Sequence, residues 1–203
     1  KNQFLLACKK QNINLDSLLE SIKRWESSKI IVIGDTIIDQ YAACEALGMS
    51  AEAPVIVLKE LQKKNFIGGA AIVASHIRSL GAKCDFISLV GNDNTAEIVK
   101  QELSKQDINY TLLKDSSRPT TFKKRYIVDN QKLFRVSRLE DHSLNSELEN
   151  KLISKVEELA PNSNSIVISD FVYGVITKKI LEKISSIAKK YNLLLFGDVQ
   201  CSS

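Results

Sequence analysis

Proline is scarce in this chain, with three residues in 203, alongside eight glycines, one methionine, one tryptophan and two histidines. So little proline and glycine excludes collagen-like and low-complexity architectures. A content of 44% hydrophobic and 26% charged residues excludes an intrinsically disordered chain. Long apolar runs are also missing. The longest near the start, Phe4 to Cys8, is far too short for a membrane span or a secretory segment. A cytoplasmic protein without a membrane partner is therefore expected. The four cysteines (Cys8, Cys44, Cys84, Cys201) form no Cys-x-x-Cys pair. They point to reduced thiols rather than to a zinc site or a disulfide framework. His76 and His142 stand apart without a ligand set, so structural or surface roles are expected and no metal-ligating group is assigned. With 28 Lys and Arg against 24 Asp and Glu, the net charge of +4 is too mild to imply a nucleic-acid partner.

A chain of this length buries roughly 70% of its unfolded surface, enough for one core with an appendage. The first residue is Lys1, and Cys201 to Ser203 follow directly on a strand-like run, so a longer polypeptide is expected at both ends. Residues 1–28 read as an N-terminal extension. Leu15, Leu18, Leu19, Ile22 and Trp25 recur at helical spacing behind Asn14 or Asp16 as cap, giving an amphipathic helix packed on the core. The run Lys29 to Ile33 is β-branched and uninterrupted, the pattern of a parallel strand buried on both faces. A segment of weaker order follows. Val55 to Leu61 reads as extended, and Gly68 and Gly69 open a helix that Gly81 ends. Strand Cys84–Val90, helix Thr95–Lys105 and strand Ile108–Leu113 continue the alternation. Two extended runs between Thr120 and Leu139 are joined at Asp129 and Asn130, residues suited to a tight hairpin turn. Helix Ser146–Ala160, strand Ser165–Ser169, helix Thr177–Tyr191 and strand Leu193–Gly197 then resume the order. The fold class is α/β, a mainly parallel sheet with helices on both faces and a small β lid.

In an open parallel sheet, ligands gather beyond the carboxyl ends of the strands. Asp35, Asp170 and Asp198 fall there, with Asp39 just beyond Asp35, and together they suit polyol or cation binding. Asp at a strand end equally serves as turn or cap chemistry. Gly68 and Gly69 bare backbone N–H groups at a helix start, which suits an anion or a closely approaching hydroxyl, or simply tight packing. Between Arg118 and Arg138 seven basic residues face the single acid Asp129. Strand alternation puts Lys123 and Arg125 on one face of that hairpin and Lys124 and Tyr126 on the other. One face can then meet an anion such as a sugar phosphate, unless the charge only keeps a solvated edge soluble.

Six segments carry a resemblance: GDTIID (34–39), SAEAPVIVL (50–58), GGAA (68–71), LVGND (89–93), the hairpin from TTFKKR to NQKLFR (120–135), and SDF (169–171). In order and spacing they resemble the ribokinase-like, or PfkB, carbohydrate kinases, and most closely the bacterial heptose 7-phosphate kinases. The resemblance covers residues 29 to about 198 and implies a kinase that uses ATP and Mg²⁺. It implies that Asp39 holds sugar hydroxyls and that Gly68 and Gly69 line the sugar. It also implies lid segments near 41–66 and 118–139, on which Lys123, Arg125, Gln131 and Arg135 face a phosphorylated sugar. Asp35 and Asp170 join the sugar side and Asp198 the cofactor side. Lids of this family often pair, so a homodimer through the lid is expected.

The catalytic base of such kinases lies in a DTxGAGD-type motif that has no counterpart in these 203 residues, so no catalytic residue is assigned and the chain alone is expected to be inactive. Four departures bear on substrate choice. Ile72 stands where the relatives have Asn, Phe122 replaces a lid threonine, Tyr173 a lysine, and Val199 with Gln200 the usual Pro-Lys. Loss of one neutral hydrogen bond at position 72 weakens binding only about two- to thirteen-fold. These departures keep open a non-catalytic sugar-binding or regulatory module derived from such a kinase. An unrelated doubly wound nucleotide enzyme is a third reading, though it gives the basic hairpin no role.

Overall fold

The run of Ile and Val after Lys29 does form a strand buried on both faces. A computed structural model describes residues 2–200, so Cys201 lies outside the described residues. In chain order the elements are α1 (Asn2–Lys10), α2 (Leu15–Trp25), β1 (Lys29–Gly34), β2 (Thr36–Met49), β3 (Ile56–Gly69), α3 (Ala70–Ser79), β4 (Lys83–Val90), α4 (Asn94–Lys105) and β5 (Asn109–Lys114). Then come β6 (Phe122–Val128), β7 (Gln131–Arg138), α5 (Ser146–Leu159), β8 (Ser165–Asp170), α6 (Lys178–Lys190) and β9 (Leu194–Val199).

Two sheets result. The first is wholly parallel in the order β5-β4-β1-β8-β9. Its central strand feeds two cores. Ile31 and Ile33 pack with Leu148, Leu152 and Val156 of α5 and Ile180 and Ile184 of α6. Val32 packs on the other face with Ala70, Ala71 and Ala74 of α3 and Val99 and Leu103 of α4. Full burial of a Leu or Ile side chain stabilises by about 1.5–3 kcal/mol, so this double-sided packing carries most of the fold. Side-chain caps fix the helix starts: Asp93 accepts from the Ala96 N–H, Asn145 from Leu148 and Thr177 from Ile180. Strand β9, at the sheet edge, is exposed along its whole length.

The second sheet, in the order β3-β2-β6-β7, is the lid. Two antiparallel hairpins, β2–β3 and β6–β7, are joined side by side by parallel pairing of β2 with β6. Asp129 (φ 47°) and Asn130 (φ 66°) are both left-handed, as a two-residue hairpin turn of matching twist requires.

Two expectations need correction. Residues 36–49, read as weakly ordered, form a 14-residue strand. Their AACEAL stretch is rich in good helix formers, but pairing with β3, and with β6 at Ala42 and Ala43, overrides that preference. The helix at Leu15–Trp25 forms, with Asn14 and Ser17 in a reciprocal cap, yet none of its residues is buried. Trp25, itself 41% exposed, lines a small apolar pocket with Ile30, Ile77, Leu80 and Ala82. The extension therefore does not pack on the core as a stripe.

Candidate substrate site

A single residue, Asp35, separates β1 from β2, so the parallel sheet runs directly into the lid. The same point receives the other end of the first hairpin: the Ala70 N–H donates to the Asp35 carbonyl at 2.8 Å. This close approach explains the glycine pair. Gly69 has φ +61°, and a Cβ there would lie 2.2 Å from the Asp35 carbonyl oxygen. At Gly68 a Cβ would lie 2.7 Å from Oδ2 of Asp39.

The Asp35 side chain is buried and points beneath the crevice. Its Oδ2 accepts from the N–H groups of Phe171 (2.7 Å) and Tyr173 (3.4 Å), and Oδ1 from Val175 (3.4 Å). Burial raises its pKa to about 6, the Asp170 charge adds to the rise, and the three N–H donors oppose it. Asp170 accepts from the Val172 N–H in the same loop. Asp35 and Asp170 are thus brought together. Asp198 is exposed, and its register opposite Ser169 places it on the α3 side of the sheet, away from the other two. Among the described residues no three His, Cys, Asp or Glu side chains cluster in a way that fits a metal ion.

The lid face that carries Asp39 is cationic. Asp39 is level with Lys123 on β6, and Tyr41 with Arg125, so these four share a face. Arg125 in turn stands directly opposite Arg135 on β7. The Arg125 guanidinium pairs with Oδ1 of Asp39 and lies 5.4 Å above the centre of the Tyr41 ring. Lys123 is nearly buried, with Nζ 4.9 Å from the centre of the Tyr173 ring. Beside them a cavity of about 470 Å³ is lined by Asp39, Tyr41, Gln62, Lys64, Phe66 and Ile127, among others. Gln131 sits opposite Val128, on the other face by register, with Lys124 and Tyr126. There Lys124 pairs with Glu60 at 2.6 Å, which raises the lysine pKa and lowers that of the glutamate.

A buried clamp went unnoticed in the sequence. Arg118, counted there with the basic hairpin, lies before it with its side chain 5% exposed. It donates to Asp115 (2.8 Å), to the Tyr173 carbonyl (2.8 Å) and to the His142 carbonyl. Ser117 bridges Asp115 and the His142 ring. Burial pushes the Asp115 carboxyl up, but bonds from Ser117 and Arg118 outweigh it and hold the group below its ordinary value. The spacing Asp115-x-x-Arg118 was the available signal.

Residues 27–201 match the family described as pfkB family carbohydrate kinase. The chain belongs to that family. The reading as an unrelated doubly wound enzyme falls with this match. The bifunctional protein HldE of Helicobacter acinonychis is 35% identical over 171 residues, which cover 84% of this chain and 37% of that protein. HldE of Campylobacter jejuni serotype O:6 is 33% identical over 174 residues, covering 85% and 36%. This pfkB chain thus spans little more than a third of the curated relatives it matches. Among solved structures, a carbohydrate kinase from Agrobacterium tumefaciens aligns with a TM-score of 0.65 at 18% identity, covering 84% of this chain and 53% of that one. Phosphofructokinase-2 from Escherichia coli, solved with fructose-6-phosphate, aligns at 0.64 and 17%, covering 86% and 55%. At such identities the likeness shows the fold alone, and that fold is ribokinase-like.

Proposed function

We propose that the complete polypeptide transfers the γ-phosphoryl group of ATP to a hydroxyl of a phosphorylated sugar, a heptose 7-phosphate or close analogue, in the cytoplasm. This chain supplies its sugar-binding and lid portion. The observation that carries this reading is the cross-strand Arg125–Arg135 pair, with Lys123 on the same face. Like charges directly opposite destabilise a sheet, and a phosphate dianion between them turns that cost into charge-assisted hydrogen bonds. Kinship with two HldE proteins agrees with it.

In this reading Asp39 accepts hydrogen bonds from sugar hydroxyls, and the bare backbone at Gly68 and Gly69 lets the ring approach. Lys123, Arg125 and Arg135 hold the phosphate, and Gln131, on the opposite face, takes no part. Asp35 and Asp170 shape the loop beneath the sugar, and Asp198 faces the nucleotide side. ATP and Mg²⁺ supply the phosphoryl group and its charge compensation. Such transfers depend on positioning and charge stabilisation, which is the work these side chains do. The lid's back face offers Phe134 (50% exposed) and Val136 (53%), and we propose that it pairs with a second copy.

An ATP-consumption assay of the complete polypeptide with paired sugars and sugar phosphates tests the reading. Turnover with a sugar phosphate is expected, and absence of turnover across the panel would overturn it. Binding without turnover would establish the non-catalytic module instead. Light scattering tests the dimer, and a monomeric mass would remove it.

A further inference from the structure

The pair formed by Asp39 and Arg125 has a role that neither residue has alone. Asp39 is the acceptor best placed for hydroxyls on the lid face, yet one of its oxygens is already taken by the guanidinium. The other lies against Gly68, where even a methyl group would not fit. Both side chains are largely withdrawn from water, 19% exposed for Arg125 and 23% for Asp39. The guanidinium rests over Tyr41 and stands opposite Arg135, which repels it. On this face Asp39 stands beside Lys64, Lys123, Arg125 and Arg135, while Glu45, farther along β2, is engaged by Lys59.

A ligand can engage Asp39 fully only by drawing Arg125 away. For a neutral polyol that exchange is poor. The hydroxyls replace the guanidinium at the carboxylate, and Arg125 is left poorly hydrated beside Arg135 without a counter-charge. A sugar that also carries a phosphate offers both replacements at once, hydroxyls for Asp39 and a dianion for Arg125. We propose that the Asp39–Arg125 ion pair is a selectivity latch that bars unphosphorylated sugars, by keeping the hydroxyl-binding carboxylate occupied until an anionic group takes the guanidinium. The latch rests on the functional reading given above and extends it. Discrimination arises from the cost imposed on the neutral sugar as well as from attraction of the phosphate.

Isothermal titration of the complete polypeptide with D-glycero-D-manno-heptose 7-phosphate, and with the same heptose lacking phosphate, tests the latch. Wild-type protein is expected to bind the phosphorylated sugar far more tightly. Arg125→Gln is expected to weaken that binding at least about tenfold and to strengthen binding of the neutral heptose about three- to tenfold. The gain is the diagnostic result, because a residue that merely contacts phosphate would leave the neutral sugar unaffected. If Arg125→Gln loses the phosphorylated sugar without gaining the neutral one, the latch is overturned while the kinase reading stands. If wild-type protein binds neither sugar, both fail together. Equal wild-type affinity for the two sugars overturns the latch alone. Should the melting curve show that Arg125→Gln does not fold, Arg125→Lys, which keeps the charge but not the fork, is expected to show the same gain at smaller amplitude. Its absence there would be equally decisive.

Discussion

The ammonium of Lys123 lies 4.9 Å from the centre of the Tyr173 ring, so a lid strand touches the loop that follows β8. That loop is held from below by Asp35 through three N–H groups and from the side by Arg118 through the Tyr173 carbonyl. The position of a lid cation is thus set partly by two buried side chains that lie outside the lid strands.

Replacing Tyr173 by alanine removes the ring but leaves the loop's backbone anchors. A cation–π contact is worth about 0.5–1 kcal/mol when exposed and about 2 when desolvated, and Lys123 is nearly buried, so KM for the sugar phosphate is expected to rise about two- to thirtyfold with kcat little changed. Steady-state kinetics of the complete polypeptide decide it, and an unchanged KM would show that the ring does not place Lys123.

Asp35 makes stability depend on pH in an unusual direction. Burial lifts its folded pKa to about 6, above the ordinary aspartate range, so the protonated form favours the fold. Its contribution is fully present below about pH 4 and is lost as pH rises through 6. Relative to Asp35→Asn, wild-type protein is expected to lose of the order of 2–3 kcal/mol between those limits. Urea unfolding at pH 4.5, 5.5 and 7 measures this, and parallel profiles for the two proteins would refute it.

Gly68→Ala places a methyl group against Oδ2 of Asp39 and forces the carboxylate to move. A misplacement of this order costs roughly ten- to a hundredfold in kcat/KM. The expected signature is that loss with a melting temperature lowered by only a few degrees. Full activity in the alanine variant would show that the Asp39 carboxylate does not need its present position.

Arg118→Met leaves the Asp115 carboxylate, 7% exposed, without its cation, and leaves two carbonyls short of a donor. Breaking a buried pair in this way costs about 3–5 kcal/mol. Chemical denaturation of the variant measures it, and a loss below 1 kcal/mol would mean that water satisfies those groups.

How much of this was legible in the residues depended on how local the deciding interaction was. The strand at Lys29–Ile33 and the turn at Asp129–Asn130 are written in β-branched runs and in residues that tolerate a left-handed backbone. Strand β2 was not legible, because its AACEAL stretch owes its extended form to distant partners, β3 along its length and β6 at Ala42 and Ala43. The alternation that separates Lys123 and Arg125 from Lys124 could be read directly, but their meeting with Asp39, 86 positions from Arg125, could not. Asp35 looked like a crevice residue because an aspartate at a strand end reads the same whether it faces solvent or a loop 136 positions away.

The one-residue joint at Asp35 also sets the lever arms of the lid. β2 and β3 are both rooted at that point through the Ala70–Asp35 bond, so a rotation of this hairpin about an axis through residues 35 and 69 would have a short and a long arm. At about 3.3 Å per strand residue, Asp39 lies roughly 13 Å from the axis and Met49 roughly 46 Å. A ten-degree rotation then carries the hairpin tip about 8 Å but Asp39 only about 2 Å. Asp39 and its partner Arg125 sit toward the short end of the arm, where such a rotation would move them least.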